Sequence, residues 1–158
     1  MSKLVRFAAD ILYPVVLIFG LYVVAHGHLT PGGGFQGGAV IATGVALVIV
    51  AYSYEEVVGW MGRGGMMARE VVGLLGFIGA GLLAFFFALP FFYNVLAGQG
   101  GLFGIPVPYG PNPGELNTGG VVPLMNFSVG IEVWGGFCLI LLYLLSGLLK
   151  EDKQEEGS

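Results

Sequence analysis

Four apolar runs, each long enough to cross a bilayer, dominate this chain: about Phe7 to Ala25, Gln36 to Tyr54, Val71 to Phe92 and Val122 to Leu149. Crossing the hydrocarbon layer takes roughly 20 apolar residues as a helix. A helix also satisfies its own backbone hydrogen bonds, which lipid cannot do. Only 10% of the residues are charged and 56% are hydrophobic, whereas soluble domains carry about 25% charged residues. A water-soluble fold of this size could not cover so much apolar surface. The expected class is an all-α integral membrane protein with four transmembrane helices. Residues 1–149 form one membrane domain, and 150–158 form a polar, Glu-rich tail expected to be disordered. Lys3 and Arg6 ahead of the first run imitate a signal peptide. The run is too long for one, and no small-x-small cleavage site follows, so it is expected to remain as a helix.

The basic residues fix the expected orientation. All six Lys and Arg fall near the N-terminus, between Glu55 and Glu70, or in the tail. The loop His26 to Phe35 and the loop Tyr93 to Val121 have none. Basic residues stay on the cytoplasmic side, so both termini are placed inside and the long loop between helices three and four outside, in a prokaryotic cytoplasmic membrane. No basic stripe points to nucleic acid.

Small residues recur at four-residue spacing in two spans: Gly34, Gly38, Ala42 and Ala46, then Gly76, Ala80, Ala84 and Ala88. Such stripes let helix backbones approach closely in lipid. Pro14 cannot donate to the carbonyl of Asp10, which predicts a bend one turn in from the basic side. No internal repeat suggests a two-fold transporter.

Glu132 is the sharpest candidate for chemistry. It lies close to the middle of the fourth run, where a charge costs on the order of 3 kcal/mol or more. An intramembrane carboxylate is by default a candidate for ion or proton traffic. Ser128 lies one turn earlier on the same face and is placed to offer it a hydroxyl. Asp10, near the interface, and His28, which titrates near neutrality, complete the ion-path candidates. His26 and His28 are two apart and face different ways on a helix, and further ligands are lacking, so no metal site is expected. Cys138 stands alone, which excludes an intrachain disulfide and predicts a buried, inert thiol. No cofactor motif and no nucleophile with a neighbouring base is visible, so the chain is not expected to be an enzyme by itself or to bind a cofactor.

The loop His28-Leu29-Thr30-Pro31-Gly32-Gly33-Gly34-Phe35-Gln36-Gly37-Gly38 is glycine-rich, but it lacks the Gly-Lys-Ser/Thr ending of a phosphate loop and no strand precedes it. It reads as a sharp reversal between two membrane helices. Loop three holds four prolines and eight glycines together with Leu102, Phe103, Ile105 and Tyr109. It is too long and too apolar for a casual linker, and is expected to fold onto its own bundle or onto a neighbour.

The run Gly27 to Gly38 resembles the signature of the MnhB/MrpB family, small membrane subunits of multisubunit Na⁺/H⁺ antiporters of the Mrp type and of related archaeal membrane-bound hydrogenases and sulfane-sulfur reductases. His28, Pro31, Gly32, Gly33, Gly34, Phe35, Gly37 and Gly38 match that motif. Glu115 and Thr118 match a second, weaker one, and the resemblance covers about Phe7 to Leu148. It implies four transmembrane helices and assembly with larger antiporter-like subunits, with hydrogenase-like and iron–sulfur subunits as further partners in a redox-linked complex. Mrp-type members often carry an aspartate at the Ser128 position and an apolar or aromatic residue at the Glu132 position. The acidic group has thus moved one turn here, which favours the hydrogenase or sulfane-reductase type of complex. The expected function is that of a small subunit of a Na⁺/H⁺ antiporter module attached to a respiratory complex, with Na⁺ and H⁺ as the ions moved. A structural adaptor that bridges larger subunits, or a standalone Mrp subunit, is the alternative.

Overall fold

The computed structural model describes residues 1–107, 112 and 114–155, with side chains to Gly147. It is helical, with α1 Lys3–Ala25, α2 Gly34–Tyr52, a short α3 Tyr54–Met61, α4 Arg63–Leu82 and α5 Val122–Glu155. A 3₁₀ turn, Leu83–Phe87, extends α4. No strand occurs among the described residues. Among the described residues, four segments are long and apolar enough to cross a membrane: Lys3–Ala25, Gly34–Tyr52, Arg63–Phe87 and Val122–Gly147.

The helices stand in a row. α1 packs on α2, α2 on α5 and α5 on α4, while α2 and α4 do not meet among the described residues. Such a row shields little of itself. Only the α2 span is more than half buried, at 56%, against 17% for α1, 17% for α4 and 28% for α5. Exposed Leu, Ile, Val and Phe on the other three spans need lipid or neighbouring helices as their solvent. Two clusters form the core. Near the basic end, Val45, Val48, Val57, Met66, Cys138 and Leu142 pack together, with Tyr13 reaching across from α1. At the opposite end Ala84, Val95 and Val121 gather Leu83, Leu96 and Met125.

Several boundaries differ from those expected of the sequence. The third span begins at Arg63, not near Val71, and its helical backbone stops at Phe87. The segment expected to be a loop from Glu55 to Glu70 is α3 plus the first turns of α4. Met66, Met67, Ala68, Arg69 and Glu70 all favour helix, and Gly62, at φ 62°, breaks the chain before them. The helical backbone of α5 runs to Glu155, past Leu149, into the segment expected to be disordered. α1 is one unbroken helix through Pro14. The second small-residue stripe ends at Ala84, because Ala88 lies beyond the helix in the left-handed region (φ 54°).

Glycines set the two inner crossings. A β-carbon on Gly38 would stand 2.6 Å from the Gly130 carbonyl oxygen, and one on Gly34 would collide with the Asn126 carbonyl oxygen. On the other side of α5, a β-carbon on Gly73 would lie 2.6 Å from the Ser128 carbonyl oxygen, and one on Gly135 2.7 Å from the Glu70 amide nitrogen. Backbone-to-backbone packing of this kind needs glycine on one helix. Gly34 and Gly38 of the first stripe lie at the α2–α5 crossing, and Gly76 of the second faces Ser128 of α5, alongside the close approaches at Gly73, Gly130 and Gly135.

Candidate functional site: a carboxylate groove and a glycine-rich junction

Glu132 lies ten residues into α5 from Val122, roughly 15 Å along the axis at 1.5 Å per residue. That is about half the thickness of a hydrocarbon core. It is partly exposed and lines a groove of about 670 Å³ between α4 and α5. Glu70 lines the same groove. Its Oε1 sits 3.5 Å from where a β-carbon on Gly136 would be. Gly136 is four residues after Glu132, the spacing of side chains that stack on one helix face. Both residues therefore line one wall, the Glu70 carboxylate lying a helical turn along α5 from the position of Glu132, with Val133, Phe137, Ile140 and Tyr143 around them.

Nearby cations are engaged elsewhere. Arg69 turns onto the Trp134 ring, 4.8 Å from its centroid, and donates to the Met66 sulfur at 3.5 Å. Arg63 donates to the Tyr54 hydroxyl and stands over the Tyr143 ring at the groove's basic end. Ser128 does not serve Glu132. Its hydroxyl donates to the Leu124 carbonyl oxygen at 2.9 Å, as serine does in helix interiors. Asp10 is remote from this groove. It accepts from the Tyr52 hydroxyl at 2.5 Å, beside Arg6, whose guanidinium lies 5.2 Å from the Tyr52 ring centroid. The four ion-path candidates therefore do not converge. Glu132 gains Glu70 as its neighbour, while Asp10 and His28 mark opposite ends of the bundle.

The glycine-rich loop closes on α5. Leu29 and Thr30 amides donate to the His26 carbonyl at 2.8 and 3.0 Å, turning the chain. Pro31 is exposed, and Gly32 takes φ 112°, a conformation suited to glycine. The Gly33 amide donates to Gln36 Oε1 at 2.9 Å, capping α2. Gly27 and Gly33 flank the Asn126 side chain: a β-carbon on Gly27 would stand 2.7 Å from Asn126 Nδ2, and one on Gly33 3.1 Å from Oδ1. Gly37 faces Val24 of α1, and Phe35 packs edge-on against Phe137 at 5.8 Å. The motif is a socket for Asn126, a residue not among the site residues expected from the sequence.

His28 faces loop three. A β-carbon on Gly119 would meet its Cδ2 at 3.1 Å. Both its ring nitrogens are shut from solvent, and neither meets the geometry of a hydrogen bond among the described residues. Burial holds its pKa below the usual histidine value, with the Leu116 backbone opposing that shift and His26 reinforcing it. His26 instead caps α1, its Nδ1 3.0 Å from the Tyr22 carbonyl. No group of ligands suited to a metal occurs among the described residues.

Loop three folds onto its own bundle. Asn94 Nδ2 donates to the Gly119 carbonyl at 3.0 Å, and the Val121 amide donates to Asn94 Oδ1 at 2.8 Å. Asn117 Oδ1 accepts from the Phe103 amide at 2.5 Å. Thr118 is 1% exposed, takes a bond from Asn112 Nδ2 at 2.8 Å and donates to the Glu115 carbonyl at 2.7 Å. Glu115 is exposed and its Oε1 accepts from the Asn117 amide at 3.2 Å. These two motif residues thus shape the loop ahead of α5 and do not line the groove of Glu132. Tyr109 lies outside the described residues.

A family model described as a domain related to the MnhB subunit of Na⁺/H⁺ antiporter matches residues 4–139. The chain belongs to this MnhB-related family. An uncharacterized protein of Methanocaldococcus jannaschii is 32% identical over 135 residues, 85% of this chain and 49% of the relative. The MnhB-related chain thus spans about half the length of that curated relative. A Staphylococcus aureus protein described as antiporter subunit mnhB2 is 44% identical over 43 residues, 27% of this chain and 30% of its own. Among solved structures, a chain from the membrane-bound sulfane sulfur reductase, an archaeal respiratory membrane complex, is similar with a TM-score of 0.70 and 28% identity. That match covers 91% of the MnhB-related chain and 58% of the other. Together with the four apolar helices, these likenesses make it a membrane protein of an antiporter-subunit family that resembles a component of a respiratory membrane complex.

Proposed function

We propose that this chain is a small, non-catalytic membrane subunit of a multisubunit cation/proton antiporter module, joined to a redox-driven respiratory complex that also contains iron–sulfur subunits. Na⁺ and H⁺ are the ions moved, and Glu132, with Glu70, borders the path. The basic end, with Lys3, Arg6 and Arg63, faces the cytoplasm of a prokaryotic cell. The observation that carries the reading is the pair of carboxylates in one groove at membrane depth. An intramembrane carboxylate is by default a candidate for ion or proton traffic, and two that line one groove strengthen that reading. The family and the likeness to a respiratory complex support it.

The test is transport by the purified complex in proteoliposomes, with Na⁺-dependent movement of a pH gradient as the readout. Glu132→Gln and Glu70→Gln are each expected to lower the rate about tenfold or more, the scale on which such proton-handling groups act. Unchanged transport by a fully assembled variant complex would remove the path role. The close glycine crossings would then favour the second reading, a structural adaptor that bridges larger subunits.

A further inference from the structure

One face of α5 is bare from Phe137 to Leu144. Phe137, Ile140 and Leu144 project outward at 37%, 61% and 61% exposure. On one side of this ridge lies the groove of Glu70 and Glu132. On the other side, two apolar hollows of about 340 and 420 Å³ join through Ala46 and Leu141 between α2 and α5. Ala39, Ala42 and Ala46 keep their floor shallow, the contour that admits another helix closely.

We infer that this ridge and its flanking grooves dock a transmembrane helix of a partner subunit that carries a lysine or arginine opposite Glu70 and Glu132. The argument is one of charge. Lipid tails can fill the apolar hollows but cannot pair with carboxylates at this depth, where an ion costs several kcal/mol unless paired or wet. Arg69 is turned onto Trp134, and Arg63 reaches only the Tyr143 end of the groove. A second copy of this chain would bring Glu against Glu, which is repulsive. A cationic partner helix satisfies both the apolar ridge and the acidic groove. The inference rests on the reading of the chain as a subunit, but not on any ion passing the groove.

A photo-crosslinking residue at Ile140 of the full chain, in native membranes, tests it. The expected adduct is a partner peptide from a membrane-spanning helix with a Lys or Arg within about one turn of the crosslinked residue. Combining Glu70→Gln with Glu132→Gln should lower the yield at least about tenfold, since leaving one member of a buried charge pair alone is costly. The yield from the same probe at Ile18 on α1 should not change. Adducts with lipid only, with a second copy, or with a helix lacking a basic residue would overturn the inference, as would a yield unaffected by the double substitution. If the double variant fails to accumulate, Glu132→Lys combined with an acidic substitution of the identified partner residue decides. Restored crosslinking supports the pairing and continued loss refutes it. Transport is not the readout, so loss of the antiporter reading would leave this result standing.

Discussion

Gly34 and Asn126 stand so close that the place of a β-carbon on Gly34 is taken by the Asn126 carbonyl oxygen. The obstacle is backbone and has no rotamer through which to yield. The same α2–α5 crossing is held open by Gly38 against Gly130. Gly34→Ala is therefore expected to destabilise the folded chain by about 1–3 kcal/mol, the usual range for overpacking. Gly79→Ala is the contrast, because nothing lies within 4 Å of that site. It should be neutral or stabilising by up to about 1 kcal/mol through helix propensity. Unfolding in mixed micelles, followed by circular dichroism, measures both.

Asn94 holds loop three to the start of α5 by two bonds, to the Gly119 carbonyl and from the Val121 amide. Asn94→Ala leaves both backbone groups without partners, a loss of about 1–3 kcal/mol when such groups are buried. The expected outcome is local. Protease should cut the loop between Gly98 and Val107 faster, while the helical signal holds. Equal cutting rates would show that the apolar cluster of Ala84, Val95 and Val121 alone secures the loop.

His28 predicts a pH dependence at the same end. Its folded pKa lies below its unfolded value because burial disfavours the charged ring. Between those two values the unfolded state binds more protons, so stability rises with pH. The junction of loops one and three should be firmest above about pH 6.5, the unperturbed histidine value, and loosen as pH falls below it. Hydrogen exchange of the Gly119 and Gly120 amides across pH 5 to 8 reads this out. His28→Gln should flatten the profile.

Cys138, on α5, is fully buried within the basic-end core. A membrane-permeant maleimide should leave it unlabelled in the folded chain and label it on denaturation. Labelling at a native rate would mean that α5 parts from its neighbours there.

The apolar runs and the placement of Lys and Arg make the four spans legible in the sequence, because lipid imposes one strong length and polarity rule. The α4 start is hidden for the opposite reason. Arg63, Arg69 and Glu70 among glycines look like a loop, yet a long arginine stem near a helix end covers apolar surface while its charged head reaches away from it. The spacing of Glu70, Gly73 and Phe77 is the available signal, since it places all three on one helix face. Glu132 is visible as a deep carboxylate; its neighbour is not, because Glu70 comes from another helix. Asn126 escapes notice because only the folded loop shows what Gly27 and Gly33 make room for. The serine bond to Leu124 needs no tertiary information, and local helix chemistry is enough to give it.

The row α1, α2, α5, α4 is one helix thick. Among the described residues such a layer has two broad sides and encloses no lumen. Anything guided along Glu70 and Glu132 has this protein on one flank only and needs an opposite wall from another chain. Stability measured on the isolated protein is then partly a property of the surrounding amphiphile. Changing detergent chain length should shift its melting point more than it would for a bundle that closes on itself.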